Sequence, residues 1–163
     1  MGGIEVGRGL DFPVFCAYPG SKGMMAKDWK IILAEDNPGD VFLVRRALNE
    51  HLKGPLDSFT LTVVKDGEEA IQMLDKSEAS GETLDLMLLD LNLPRRDGAE
   101  VLARLRSLTH LSGTPVIMMT SSDSPRDWER CMALGANRYF QKPAELKRFM
   151  EIGKIVADLF ALS

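Results

Sequence analysis

The sequence predicts a doubly wound α/β fold, with five parallel strands in one sheet and helices on both of its faces. Three observations predict it. From Trp29 onward, five short apolar runs of strand length alternate with five stretches of helical spacing, the pattern of successive strand–helix units. Three of the runs (Ile31-Ile32-Leu33, residues 86–89 and residues 116–119) are apolar without alternation, as expected of strands covered on both sides. The 163 residues, 45% apolar and 27% charged, amount to one domain of ordinary globular composition.

The elements follow in order. A strand over 30–34 leads to a helix over 38–50, with Asn37 as its cap, Pro38 in its first turn, and Val41, Val44 and Leu48 on one face. A second strand over 60–64 precedes a helix over 68–76 carrying Ile71 and Leu74; residues 77–83 read as a surface loop. The third strand, 84–89, is followed by a helix over 99–108 with Val101, Leu102, Leu105 and Leu108. The fourth, 116–119, is followed by a helix over 125–134 that starts behind the caps Asp123 and Ser124 and stops at Gly135. The fifth, 138–141, leads to a last helix over 145–161. Its stripe of Leu146, Phe149, Ile152, Val156, Leu159 and Phe160 is widened by Ile155. That surplus could close the bottom of the domain or cover a twin subunit; a homodimer through the fourth helix, fifth strand and last helix is the expectation carried forward.

Residues 1–25 differ, with Gly2, Gly3, Gly7, Gly9, Gly20, Gly23, Pro13 and Pro19 breaking any period. They read as a disordered extension, or as sequence upstream of a start at Met24 or Met25, leaving residues 28–163 as the domain. A net charge of −4 gives no general pull toward nucleic acid or an anionic membrane. No apolar run approaches the roughly twenty residues that a bilayer span needs. Cys16 and Cys131 stand far apart, and His51 and His110 are wrongly spaced to join them at zinc. Two free thiols in a reducing cytoplasm are expected, and no secretion signal opens the chain.

Ligands of open α/β sheets collect at the carboxyl ends of the strands. Glu35 and Asp36 follow the first strand, Asp90 the third, Thr120, Ser121 and Ser122 the fourth, and Lys142 and Pro143 the fifth. If the strands are parallel, these groups meet at one rim. Two carboxylates about 4 Å apart repel by about 4 kcal/mol at an effective dielectric near 20, so three together call for a cation. A divalent ion with oxygen ligands suits them, and Mg²⁺ fits because it accepts few carboxylates and keeps several waters. Lys142 adds a point charge for a phosphoryl oxygen, and the Thr120 hydroxyl a hydrogen bond. The set describes phosphoryl transfer onto a carboxylate. Each residue alone has a plainer explanation, as a helix cap, a turn residue or a surface lysine; the joint pattern carries the reading.

The stretches Ile31-Ile32-Leu33-Ala34-Glu35-Asp36-Asn37, Leu88-Leu89-Asp90-Leu91-Asn92-Leu93-Pro94 with Asp97-Gly98, residues 115–120 and residues 139–143 resemble the receiver domain of two-component response regulators, over about residues 30–159. The resemblance implies a flavodoxin-like (βα)5 fold. It implies Asp90 as phosphoacceptor, Glu35 and Asp36 as the acidic pair at Mg²⁺ with the backbone carbonyl of Asn92 completing the set, Thr120 and Lys142 gripping the phosphoryl group, and Tyr139 as an aromatic switch. Asn92 and Ser122 fall where the family tunes the lifetime of the acyl phosphate. The implied protein is a phosphoacceptor rather than a turnover enzyme, served by a sensor histidine kinase or a phosphotransfer protein.

With no output domain in the sequence, a stand-alone receiver or a relay intermediate is expected. The runs Asn37-Pro38-Gly39-Asp40 and Leu91-Asn92-Leu93-Pro94-Arg95-Arg96-Asp97-Gly98 look most like single-domain regulators paired with phytochrome-type kinases. Gly135-Ala136-Asn137-Arg138-Tyr139 departs from the acidic version common in transcription-factor receivers, and Ala144 replaces the usual bulky residue after Pro143. Other classes fit less well. A haloacid-dehalogenase-type hydrolase needs a second Asp where Asn92 stands, and a flavodoxin-like electron carrier would place Glu35 and Asp36 against the FMN phosphate. A receiver that only docks partners would have lost one of Asp36, Asp90 or Lys142.

Overall fold

The structure, a computed structural model, describes residues 27–54 and 58–161; the 1–25 extension and Cys16 lie outside the described residues. Strands β1 (Asp28–Ala34), β2 (Ser58–Val64), β3 (Leu86–Asp90), β4 (Val116–Thr120) and β5 (Arg138–Gln141) form one parallel sheet in the order β2-β1-β3-β4-β5. Between and after them come α1 (Pro38–Leu52), α2 (Gly67–Ser80), α3 (Gly98–Ser107), α4 (Pro125–Ala133), α5 (Leu146–Phe149) and α6 (Glu151–Ala161). The fold is the doubly wound one that the alternation of runs predicts.

Unalternating strands sort themselves by face. Ile31, Leu33, Leu86, Leu88, Ile117 and Met119 pack with Val44 and Leu48 of α1 and Ile152 and Val156 of α6. Their neighbours Ile32, Ala34, Met87, Leu89, Val116 and Met118 pack with Leu74 of α2 and Val101, Leu102 and Leu105 of α3. Each fully buried side chain of this size contributes about 1.5–3 kcal/mol. β2, an edge strand, is mostly half-buried, which suits its mixed Ser58-to-Val64 composition. On the first face α1 and α6 approach closely at Gly153, where a Cβ would stand 2.3 Å from the Ala47 carbonyl oxygen.

Several boundaries and one cap differ from expectation; β1 and β2 each begin two residues early and α1 continues to Leu52. α2 runs through residues 77–80, which the sequence reads as loop, and ends at Gly81 with φ 69°. A tertiary contact holds the extra turn, because the Glu78 carboxylate accepts backbone N–H bonds from Thr109, His110 and Leu111. Residues 84 and 85 precede β3; there the Asp85 N–H donates to the Lys30 carbonyl at 2.9 Å, and its carboxylate accepts from the Lys30 N–H at 2.8 Å. The last helix is divided at Met150, where the Gly153 N–H reaches back only three residues, to the Met150 carbonyl. In the turn before the break Phe149 still joins the core, but Leu146 is exposed rather than part of the stripe. Ser124 stands at the N-cap of α4, but its hydroxyl makes no capping bond. The entry to α4 is held from one step earlier: the Ser122 hydroxyl accepts from the Ser124 N–H at 3.2 Å and donates to the Asp127 carboxylate at 2.6 Å.

At the opposite pole one side chain ties two loops together. The Arg106 guanidinium donates to the carbonyls of Ser112, Thr114 and Gly135 and to the Asn137 side-chain oxygen. That same Asn137 oxygen accepts from the Val116 N–H at 2.8 Å.

Candidate functional site

Strand order reverses between β1 and β3, and the crevice at such a switch point is where open α/β sheets place their ligands. The register brings the flanking residues level. Ala34 pairs with Leu89, Asp90 with Met119 and Thr120 with Gln141, so Glu35, Asp90, Thr120 and Lys142 line one rim. Backbone bonds continue the ladder beyond the strand ends, from Glu35 N–H to the Val64 carbonyl at 2.9 Å and from Lys142 N–H to the Thr120 carbonyl at 2.7 Å.

At the centre is the Lys142 ammonium. It donates to Glu35 Oε2 at 2.6 Å, to Asp40 Oδ2 at 2.9 Å and to Asp90 Oδ2 at 3.0 Å. The Lys142 side chain is 10% exposed and that of Glu35 1%. Burial pushes the Glu35 carboxyl up, and the bonds from Lys142 and the Asn37 N–H only partly counter it, leaving its pKa at about 7. Burial alone would lower the Lys142 ammonium, but the three carboxylates more than offset it, and the net shift is upward.

Glu35, Asp36 and Asp90 each offer a carboxylate oxygen within 4.8 Å of the others. The set is all hard oxygen, one member exposed to solvent and two buried, which suits a hexacoordinate ion that retains waters, such as Mg²⁺ or Mn²⁺. The charge balance fits as well: three carboxylates bond one ammonium, and Asp36 lies beside two of them.

Asp90 is held from behind. Its Oδ1 accepts the Asn92 N–H at 2.9 Å, and Gly98 lets α3 begin against its backbone, where a Cβ would stand 2.3 Å from the Asp90 carbonyl oxygen. Asp97 caps α3 in a reciprocal pair with Glu100. The Thr120 hydroxyl, fully buried, accepts from the Ser122 N–H at 3.0 Å and the Asn92 side-chain amide at 3.4 Å. Next to it the Tyr139 hydroxyl is buried without a hydrogen-bond partner. Burial pushes this phenol's pKa up, Cys131 and Asp127 add to the shift, and the nearby Thr120 hydroxyl counters part of it.

The structure therefore brings Glu35, Asp36, Asp90, Asn92, Thr120, Ser122, Tyr139 and Lys142 into one neighbourhood. Sequence reasoning missed Asp40 as a member. The available signal was position: Asn37 caps α1 by accepting from the Gly39 and Asp40 N–H groups, which sets Asp40 in the first turn, beside the rim. The Asp97-Gly98 pair was visible as a motif; its reason, the close approach to the Asp90 backbone, needed coordinates.

The fold and the rim define a class, and comparison with known proteins gives it a name: this chain belongs to the response regulator receiver domain family, whose model matches residues 31–154. Among individual relatives, the probable methanogenesis regulatory protein FilR2 of Methanothrix harundinacea is 37% identical over 127 residues, covering 74% of this chain and 78% of that one. Response regulator Rcp1 of Synechocystis sp. is 34% identical over 119 residues, covering 72% and 78%. The Mn²⁺-bound crystal structure of a response regulator Rcp1 aligns with a TM-score of 0.70 at 30% identity, over 81% of this chain and 94% of that one. The phosphorylated cyanobacterial phytochrome response regulator RcpA aligns at 0.73 and 34% identity, over 83% and 95%. Other curated relatives are longer, and the chain spans only 54% of the response regulator ORR1 of Oryza sativa.

Proposed function

We propose that this receiver accepts a phosphoryl group on the Asp90 carboxylate from a histidine kinase or a phosphotransfer protein. The observation that carries the reading is the Lys142 ammonium, which bridges Asp90 and Glu35 from three separate strand ends. An Asp90 oxygen attacks phosphorus, the new O–P bond forms, and the bond from phosphorus to the donor breaks with its electron pair leaving on the donor. Glu35, Asp36, Asp90 and the Asn92 backbone carbonyl would hold Mg²⁺. When bound, that ion supplies positive charge against the phosphoryl oxygens and the crowded carboxylates. The Lys142 ammonium and the Thr120 hydroxyl bind phosphoryl oxygens and orient the group. For Thr120 this means giving up its present place beside Ser122, opening space toward which the unpartnered Tyr139 hydroxyl can turn. The surface of α4, β5 and α6 is reshaped as populations shift.

The Rcp1 and RcpA likenesses support a phytochrome-type kinase as donor. The 95% coverage of the RcpA chain supports a receiver working on its own. A homodimer through α4, β5 and α6 is supported by a hollow of about 500 Å³ lined by Tyr139, Phe140, Ile155 and Leu159 among others. Light scattering at high concentration, with and without a phosphoryl mimic, tests the dimer; a monomer in both states contradicts it.

The central test is incubation with acetyl phosphate and Mg²⁺ followed by intact mass. The wild type gains one phosphoryl group, Asp90→Asn gains none, and chelation of the metal suppresses the gain. A wild type that stays unmodified overturns the reading.

A further inference from the structure

A lysine ammonium has three protons to donate, and in this chain all three are committed to protein carboxylates. Glu35, Asp40 and Asp90 take one bond each, at 2.6, 2.9 and 3.0 Å. No donor is left for an arriving anion. When Asp90 is converted to an acyl phosphate, its own bond to Lys142 passes to a phosphoryl oxygen. The other two carboxylates stay, and they differ. Glu35 is sealed in, at 1% side-chain exposure, among the groups placed at the metal. Asp40 is 25% exposed, sits on the first turn of α1 rather than at a strand end, and lies outside the set of acids close enough to share an ion.

The geometry points to Asp40 as a positioning residue that acts through Lys142: it anchors the ammonium over Asp90 and competes with the phosphoryl group for it. The inference rests on the proposed phosphoryl acceptance at Asp90. Asp40 contributes no atom to the transfer. In the resting protein it holds the Lys142 side chain extended toward the rim. In the phosphorylated protein it keeps a negative charge one ammonium away from a dianion, in a partly buried setting where such charges are only partly screened. The chain thus carries a built-in brake on the phosphorylated state, and neutralising Asp40 releases it.

The probe is beryllofluoride, an anion whose beryllium takes an Asp90 carboxylate oxygen as its fourth ligand and so occupies the phosphoryl position reversibly, without a phosphoryl donor; it is titrated by calorimetry at saturating Mg²⁺ into the full chain. Asp40→Asn, which keeps an oxygen acceptor for Lys142 but removes the charge, is expected to bind roughly tenfold more tightly than wild type, from one like charge removed at close range. Asp40→Glu, which restores the charge, is expected to return toward the wild-type affinity, and Asp40→Ser to follow Asp40→Asn. The gain shrinks as ionic strength rises, a response that a merely structural role for Asp40 would not produce. Thermal unfolding confirms that each variant is folded. Wild type that binds beryllofluoride with the affinity of Asp40→Asn, or more tightly, overturns the inference alone. Wild type that fails to bind beryllofluoride, and also gains no mass from acetyl phosphate, overturns the phosphoacceptor reading beneath it.

Discussion

Glu35 shows how much one side chain can impose at the residue scale. Its carboxyl titrates at about 7 in the folded protein against 4.5 when free, so the native state holds a proton that the unfolded chain gives up. Stability from this group is present below about pH 4.5 and is lost as the pH rises through 7, by up to about 3 kcal/mol at 1.36 kcal/mol per unit. Urea unfolding in a chelator between pH 5 and 8 should therefore show the wild type losing more stability than Glu35→Gln. A constant gap between the two would contradict it. Gly98 imposes through space instead. Gly98→Ala puts a methyl into the Asp90 carbonyl and should cost about 1–3 kcal/mol, with slower phosphoryl uptake because the reacting carboxylate shifts. Denaturant midpoints and the intact-mass time course check the two effects together.

Among elements, the packing of α6 on α1 depends on Gly153, and Gly153→Ala should lower stability by about 1–3 kcal/mol while leaving phosphoryl uptake by the folded fraction near normal. Loss of uptake in proportion to lost chemistry, rather than lost folded protein, would show that this face also shapes the site. The strands and most helices were legible because each carries a local signature: unbroken apolar runs in β1, β3 and β4, Asn37-Pro38 before α1, Gly135 after α4. Where the reading slipped, the cause was a contact distant in sequence. Residues 77–80 have no helical apolar face of their own; they stay helical because Glu78 caps backbone groups some thirty positions onward. The start of α4 is held through Ser122 rather than by a Ser124 capping bond because Asp127 turns back to meet the Ser122 hydroxyl. The rim residues could be named from strand ends alone, since a parallel sheet collects its carboxyl ends by construction. Asp40 escaped because a helix's first turn reports its partner only when the lysine's path is known.

For the whole molecule, the surplus of carboxylates over cations gathered at one rim would, on the proposed reading, make a divalent metal a ligand for the folded chain alone. Mg²⁺ at about 100 times its dissociation constant should raise the unfolding free energy by about 2.7 kcal/mol. Asp36→Asn should weaken that response without abolishing the fold, as differential scanning calorimetry across a Mg²⁺ series would register. No helix among the described residues is long and apolar enough to cross a membrane. The far pole of the sheet obeys a different logic. The Arg106 guanidinium fastens the segment entering β4 to the turn leaving α4, so α4 is tied at its C-terminal end to the sheet, while its start is held by Ser122 and Asp127 beside the rim. On the proposed switching, a displacement that starts beside Asp90 would have a fulcrum at Gly135, and amide exchange should then stay slowest at Val116 and Asn137 while quickening toward residues 121–124.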